Sequence, residues 1–334
     1  MSIAMTNPQD IRKVIQADFR LYEEAFALAL QADNTFLAEV LDYLYSKRGK
    51  QLRPILVLLS AALCRGVTDK TIHTAVALEL MHTASLIHDD VVDNSPMRRG
   101  SDAVQARWTN KIAVLVGDYV LTRVISILSD LRNSTILSIV SKMGGALTSG
   151  ELLQLHAGQS MWISEKQYNQ VIEQKTACLF AACSEAGAAS TGATMRQMTA
   201  MKQFGLHLGM CFQLKDDVLD FSDIEDIGKP TMNDIRDGKA TLPLLISLKR
   251  ATKEEADHIR EMAEALANKS PHIDPFEAEQ EIKSFILRYD GIRYAHQEME
   301  KHRKKAIAVL SIFPDNKYKE SLVLLLDYAI SRVK

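Results

Sequence analysis

The chain has 334 residues, 40 Lys and Arg against 42 Asp and Glu, and a formal charge of −2. That charge balance offers neither the basic surface of a nucleic-acid binder nor an acidic disordered tail, and a hydrophobic content of 47% can fill a large core. Four cysteines (Cys64, Cys178, Cys183, Cys211) without a C-x-x-C pair read as small core hydrophobes in a reducing compartment. "MSIAMTNPQD" has neither a basic nor an apolar signal region, and the longest uninterrupted apolar run, "PILVLLSAALC", is too short to cross a bilayer, so a cytoplasmic globule is expected.

In chain order, apolar residues recurring at three and four predict helices over 10–31, 35–47, 50–64 and 70–93. No proline falls between Pro96 and Pro230, so the middle of the chain can hold long uninterrupted helices. "VLTRVISILSDLRNSTILSIVSKMGGALTSGELLQLHAG", "EKQYNQVIEQKTACLFAACSEAGAAS" and "MRQMTAMKQFGLHLGMCFQLKDDVLDF" all carry the helical pattern. A long loop is expected over 223–240, where Gly, Pro, Asn and Asp gather, and loops of that length are often functional. Helices follow over 241–268, 276–311 and 316–333. Nothing alternates with period two, so the fold class is all-α. "LSAALCRG" and "TAVALELMHTASLI" are apolar nearly all round, which places them inside one large bundle formed by residues 1–334.

Two apolar helices end in acids. "HDDVVD" places Asp89, Asp90 and Asp93 at the end of one, and "QLKDDVLD" places Asp216, Asp217 and Asp220 at the end of another. Like charges at i,i+4 cost roughly 0.2–0.5 kcal/mol per pair, and acids at a helix C-terminus face the wrong end of its dipole. A single such cluster is as often a solvated helix end. Two copies, each followed by basic residues, point instead to a compensating cation. Oxygen ligands without His or Cys suit Mg²⁺, which shares phosphate oxygens with substrates. Arg98 and Arg99 follow the first cluster, and Lys229 and Lys239 follow the second. Lys50 and Arg53 open a helix in "GKQLRP". Arginine forks and lysines near helix starts hold phosphates, so the grouping predicts two diphosphates, one held through metal and one directly.

Together with "GDYVL", "GELLQ", "KTACLF" and "GKPTMNDIRDGKATLPLL", these motifs resemble the trans-isoprenyl diphosphate synthases, the polyprenyl synthetase family. The short spacing in "DDVVD" looks like the bacterial medium- and long-chain type, which makes hexaprenyl, heptaprenyl or octaprenyl diphosphate. The resemblance implies the isoprenoid synthase bundle with a central hydrophobic cavity. It implies a prenyltransferase that adds isopentenyl diphosphate head-to-tail to an allylic primer, farnesyl diphosphate by expectation, with three Mg²⁺ per active site. Carried over, Lys50, Arg53, His82 and Arg99 hold isopentenyl diphosphate. Arg98, Lys175, Thr176, Gln213, Lys229 and Lys239 serve the allylic substrate. Asp89, Asp93 and Asp216 lead the metal set, with Asp90, Asp217 and Asp220 as closely associated acids. "RGKQLRP" departs from the family in the residues flanking the lysine, and His82 by itself reads as a core histidine. A homodimer is implied, and a separate small partner subunit stays open.

The helix ending at Asp89 would wall the pocket for the growing chain. Short-chain members carry a bulky aromatic four or five residues before the first aspartate. Here those positions are Ser85 and Ala84, with Met81 and Ala77 deeper, so the tunnel is expected to reach at least to Met81, about 12 Å along the helix. The expected product is C30–C40, with residues 148–156 of a facing helix as candidates for the floor. The alternatives are a shorter-chain (geranylgeranyl or farnesyl) diphosphate synthase and a class I terpene cyclase. Two Asp-rich motifs and the Lys50/Arg53 pair argue against the cyclase.

Overall fold

Several helix starts in this chain are set by side chains that accept the unpaired N–H groups of the first turn. The structure, a computed structural model, describes residues 8–157, 161–221 and 232–332. α1 (Pro8–Ile11) passes through a 3-10 turn into α2 (Gln16–Ala29), and α3 (Thr35–Ser46) is capped by Asn34. α4 (Leu52–Cys64) precedes α5 (Asp69–Val92), which opens with a reciprocal cap between Thr68 and Thr71. A hairpin of β1 (Met97–Arg98) and β2 (Ser101–Asp102) leads to α6 (Val104–Arg107), α7 (Asn110–Leu131) and α8 (Ser134–Ala157). α9 (Glu165–Ile172) runs through a π turn at Glu173–Ala177 into α10 (Cys178–Ser190), and α11 (Met195–Leu219) follows. The chain ends with α12 (Asn233–Arg236), α13 (Leu242–Arg250), α14 (Lys253–Ala267), α15 (Pro275–Arg288), α16 (Gly291–Val309) and α17 (Lys317–Ser331).

The fold is all-α, with three local departures from the sequence pattern. The helix expected over 241–268 breaks at Ala251, because Thr252 and Glu255 form a capping box that starts α14 afresh. The one expected over 276–311 breaks where Asp290 takes a left-handed φ of 56°. The expected loop 223–240 contains α12; Lys229 lies outside the described residues. The hairpin adds the one described pair of strands, and its Arg99–Gly100 turn has φ values of 52° and 74°. Positive φ at both central residues is the turn that follows the twist of a tight hairpin.

α4 and α10 are buried nearly all round and form the centre of the main core with α2, α5, α7, α8, α11 and α17. α11 lies close against α10 because a Cβ on Gly205 would fall 2.3 Å from the Phe180 carbonyl oxygen. Two smaller clusters pack α13, α14 and α15, and α9, α11 and α16. α7 differs from expectation in one respect. It is the one described helix long and apolar enough to cross a bilayer, because Leu115 and Ile125 on its outer face are as apolar as its buried side.

Candidate active site

α5 and α11 each carry their acids to the helix end, and both ends border one cleft. The cleft encloses about 660 Å³ and is lined by Asp89, Arg98 and Arg99 on one side and Lys175, Thr176, Gln213 and Asp216 on another. Arg53 and His82 also reach it, and Met81, Leu121, Leu147, Leu179 and Phe212 make its apolar wall. An adjoining chamber of about 200 Å³ shares Lys175, Thr176 and Gln213 and adds Tyr168, Asp217, Asp234 and Lys239.

The six aspartates separate by what engages them. Asp90 is buried and accepts from the Arg98 guanidinium, with Nε at 2.8 Å. Asp217, also buried, accepts from the Tyr168 hydroxyl and from Gln213 Nε2 at 2.9 Å. Asp220 caps the start of α12 by accepting the N–H groups of Asn233 and Asp234, both at 3.0 Å. Asp89 lines the cleft, Asp93 is the exposed C-cap of α5, and Asp216 lines the cleft opposite.

Burial pushes the Asp89 carboxyl up to about 6, and the nearby Glu151 charge adds to the rise. Burial likewise raises the Asp217 and Asp234 carboxyls, the latter helped by the Asp217 and Asp220 charges. So much negative charge in one place calls for a cation. One is already present at Asp216: the Arg332 guanidinium, only 8% exposed, lies 2.7 Å from Asp216 Oδ1 and stacks 3.8 Å from the Phe212 ring. Among the described residues no three His, Cys, Asp or Glu side chains gather closely enough to cage a metal alone. Hard oxygen donors on two sides of an open cleft fit Mg²⁺, which takes one or two carboxylates and completes its shell with water and phosphate.

The cations surround this cleft. The hairpin turn sends Arg98 to Asp90, whereas Arg99 packs against Gly49, whose Cβ would lie 2.8 Å from the Arg99 guanidinium carbon. Arg53 sits 5.0 Å over the Phe180 ring with its Nε unpartnered, and Lys50 stands 5.3 Å over Tyr328 outside the cleft lining. His82 is buried, and burial together with Arg53 and Arg99 holds it well below its ordinary range, so it is neutral at pH 7. Lys175 bridges to Glu151 at 2.7 Å and to Gln154 at 3.1 Å, while Lys239 is 3.8 Å from Asp237. The π turn at Glu173–Ala177 widens the backbone where Lys175 and Thr176 face the cleft.

Of the small residues expected along the tunnel, Ser85 lines the cleft and Ala84 does not; Ala84 is fully buried in the main core. The two positions differ by one helical step of about 100°. Met81 lines the cleft four residues deeper and ends against Gly144 of α8, where an added Cβ would lie 2.7 Å from its terminal carbon. Ala77 is fully buried beyond it. Sequence reasoning missed Glu79, Tyr168, Asp234 and Arg332. Glu79 carried a signal, being an acid inside an apolar helix one turn before His82, and it lies buried among the charges of Arg53 and Arg99.

The polyprenyl synthetase family model matches residues 34–277. An octaprenyl diphosphate synthase of Haemophilus influenzae is 33% identical over 97% of this chain and 96% of its own. Component 2 of a heptaprenyl diphosphate synthase from Geobacillus stearothermophilus is 33% identical over 94% of each chain. Other relatives carry names from geranylgeranyl to nonaprenyl diphosphate synthase. Among solved structures, a polyprenyl synthase from Caulobacter crescentus CB15, complexed with calcium and isoprenyl diphosphate, superposes with a TM-score of 0.90 at 32% identity over 99% of this chain and 100% of that one.

Proposed function

The chain belongs to the polyprenyl synthetase family and is a prenyltransferase, and from that premise we propose that it extends farnesyl diphosphate with isopentenyl diphosphate to a C30–C40 polyprenyl diphosphate. The observation that carries this reading is a single cleft with acids and cations at its mouth and an apolar wall that carries no bulky residue at Ser85. Relatives named for octaprenyl and heptaprenyl products support the chain length.

Arg98, Lys175 and Lys239 draw the allylic diphosphate toward the acids, and Arg53, Arg99, Lys50 and the neutral His82 take the diphosphate of isopentenyl diphosphate. Asp89, Asp93 and Asp216 would hold three Mg²⁺, which supply charge neutralisation on the departing pyrophosphate. The C–O bond of the allylic substrate breaks and leaves its electron pair on pyrophosphate. The isopentenyl double bond then attacks the allylic carbon, and loss of a proton to pyrophosphate restores an allylic diphosphate five carbons longer. Thr176 supplies an oxygen dipole beside the transient cation. Met81, Leu121, Leu147 and Leu179 keep water from the growing chain.

The test is incubation of the purified protein with farnesyl diphosphate, labelled isopentenyl diphosphate and Mg²⁺, followed by product chromatography. C30–C40 products are expected. Asp89→Ala and Asp216→Ala should each lower turnover by at least about a hundredfold, in line with the loss of transition-state charge stabilisation; near-normal rates would remove both acids from the metal set. We propose a homodimer as the working assembly. Elongation only after a second polypeptide is added would transfer the reading to a catalytic subunit of a two-component enzyme, as the name of the Geobacillus relative describes.

A further inference from the structure

We propose that Tyr168 is a positioning residue of this reaction, acting through Asp217 and Gln213 to aim the lone pairs of Thr176 into the cleft. The inference rests on the function proposed above and adds a residue to it.

The chain of contacts is continuous. Tyr168 is 3% exposed, and its hydroxyl donates to Asp217 Oδ2. Gln213 Nε2 donates to Asp217 Oδ1 at 2.9 Å, and Thr176 Oγ1 donates to Gln213 Oε1 at 2.8 Å. The contacts fix the amide: Tyr168 holds Asp217 Oδ2, Asp217 Oδ1 faces Gln213 Nε2, and Gln213 therefore turns its NH₂ toward Asp217 and its oxygen toward Thr176. Thr176 then gives its only hydrogen to an amide oxygen. What it presents to the cleft is a pair of lone pairs, the correct end of the dipole beside an allylic cation. An amide oxygen is too weak a base to remove that hydrogen, so the hydroxyl does not become a competing nucleophile.

This arrangement also gives Asp217 a task distinct from its neighbour Asp216. Both Asp217 oxygens are engaged by protein donors, and the side chain borders the adjoining chamber rather than the main cleft. Without the Tyr168 hydroxyl, the carboxylate can rotate about its Cβ–Cγ bond, and Gln213 loses the anchor that sets which way its amide faces.

The test is a double-mutant cycle with Tyr168→Phe and Thr176→Val, assayed for kcat, for the KM of isopentenyl diphosphate and for Mg²⁺ binding by calorimetry. Tyr168→Phe removes one oxygen and leaves the ring in its packing. It should lower kcat about tenfold, the worth of one buried hydrogen bond. KM and Mg²⁺ affinity should stay at their wild-type values. In the Thr176→Val background Tyr168→Phe should have no further effect, because the group it positions is gone. Asp217→Asn, a second route to the same break, should likewise lose its effect on kcat in that background. Additive losses, a wild-type kcat for Tyr168→Phe, or weakened Mg²⁺ binding in Tyr168→Phe would each overturn the proposal. A wild-type enzyme that condenses no substrate would overturn the proposed function itself.

Discussion

Residue identity decided less here than the partner each residue meets. Thr176 and Gln213 could be picked out from local motifs, but their link to Tyr168 spans 49 residues between Tyr168 and Asp217. The contact of Arg332 with the Phe212 carbonyl spans 120 residues. No periodicity or spacing within one helix encodes such pairs, since they exist only once α9, α11 and α17 are packed. A second pair of this kind makes a prediction remote from the chemistry. His207 on α11 and His302 on α16 face each other, Nδ1 to Nδ1, at 3.0 Å. Burial first, then the charges of His207 and Lys305, lower His302 to about 4. The unfolded chain takes up its proton near the ordinary value of 6.5, so between 6.5 and about 4 the unfolded state binds more protons than the folded one. Stability contributed by the neutral pair is therefore present above pH 6.5 and is lost as pH falls through that window. The loss is on the order of 1 kcal/mol once solvent screening of the partly exposed ring is allowed for. Melting temperatures of wild type and His302→Asn measured at pH 7.5 and pH 5 check this: the variant should show the smaller drop.

At the scale of elements, helical periodicity made most of the architecture legible, and its failures have a common cause. The breaks at Ala251 and Asp290 occur where apolar spacing continues across a cap, so the hydrophobic pattern outruns the hydrogen-bond pattern. The tunnel wall shows the same limit. Small residues four and five positions before Asp89, where short-chain members of the family carry an aromatic, signalled an open pocket, but only the packed helix shows which of Ala84 and Ser85 faces it. Ser85→Phe should therefore put a floor near the mouth of the cleft and shift the product by at least one or two isoprene units toward shorter chains. Ala84→Phe should instead overpack the core, at a cost of about 1–3 kcal/mol seen as a lower melting temperature. Product chromatography beside thermal melts separates the two, and unchanged chain length in Ser85→Phe would refute the wall assignment. Deeper along the same face, Met81→Ala removes the side chain that closes on Gly144, and its products should be longer than those of the wild type.

For the whole molecule, the faces of α7 and α8 turned away from the cleft pose the remaining question. Leu115 and Ile125 on α7 are each 67% exposed, and Leu137 and Leu152 on α8 are exposed as well. The outer faces of the two helices also carry exposed Thr122, Ser126, Ser129, Ser138, Ser141 and Gly145, with exposed charges at Asp118, Asp130, Arg132 and Lys142. Large apolar side chains exposed on two packed helices are the kind of surface that the proposed homodimer would cover. A second copy related by a two-fold axis would cover it with the same residues. Leu121, Gly144 and Leu147 line the cleft from these same two helices, so a dimer of the proposed kind would pair on the outer side of the tunnel wall. Ile125→Glu places a charge in the middle of that face without touching a residue of the cleft. Light scattering should show the wild type at about twice the chain mass of 37.3 kDa and Ile125→Glu at the single-chain mass. Because α7 and α8 would then lose the support that holds the wall in register, the variant should also release a broader range of product lengths. A wild type that scatters as a monomer would reject the dimer. A monomeric Ile125→Glu with the wild-type product range would show that each copy builds its tunnel alone.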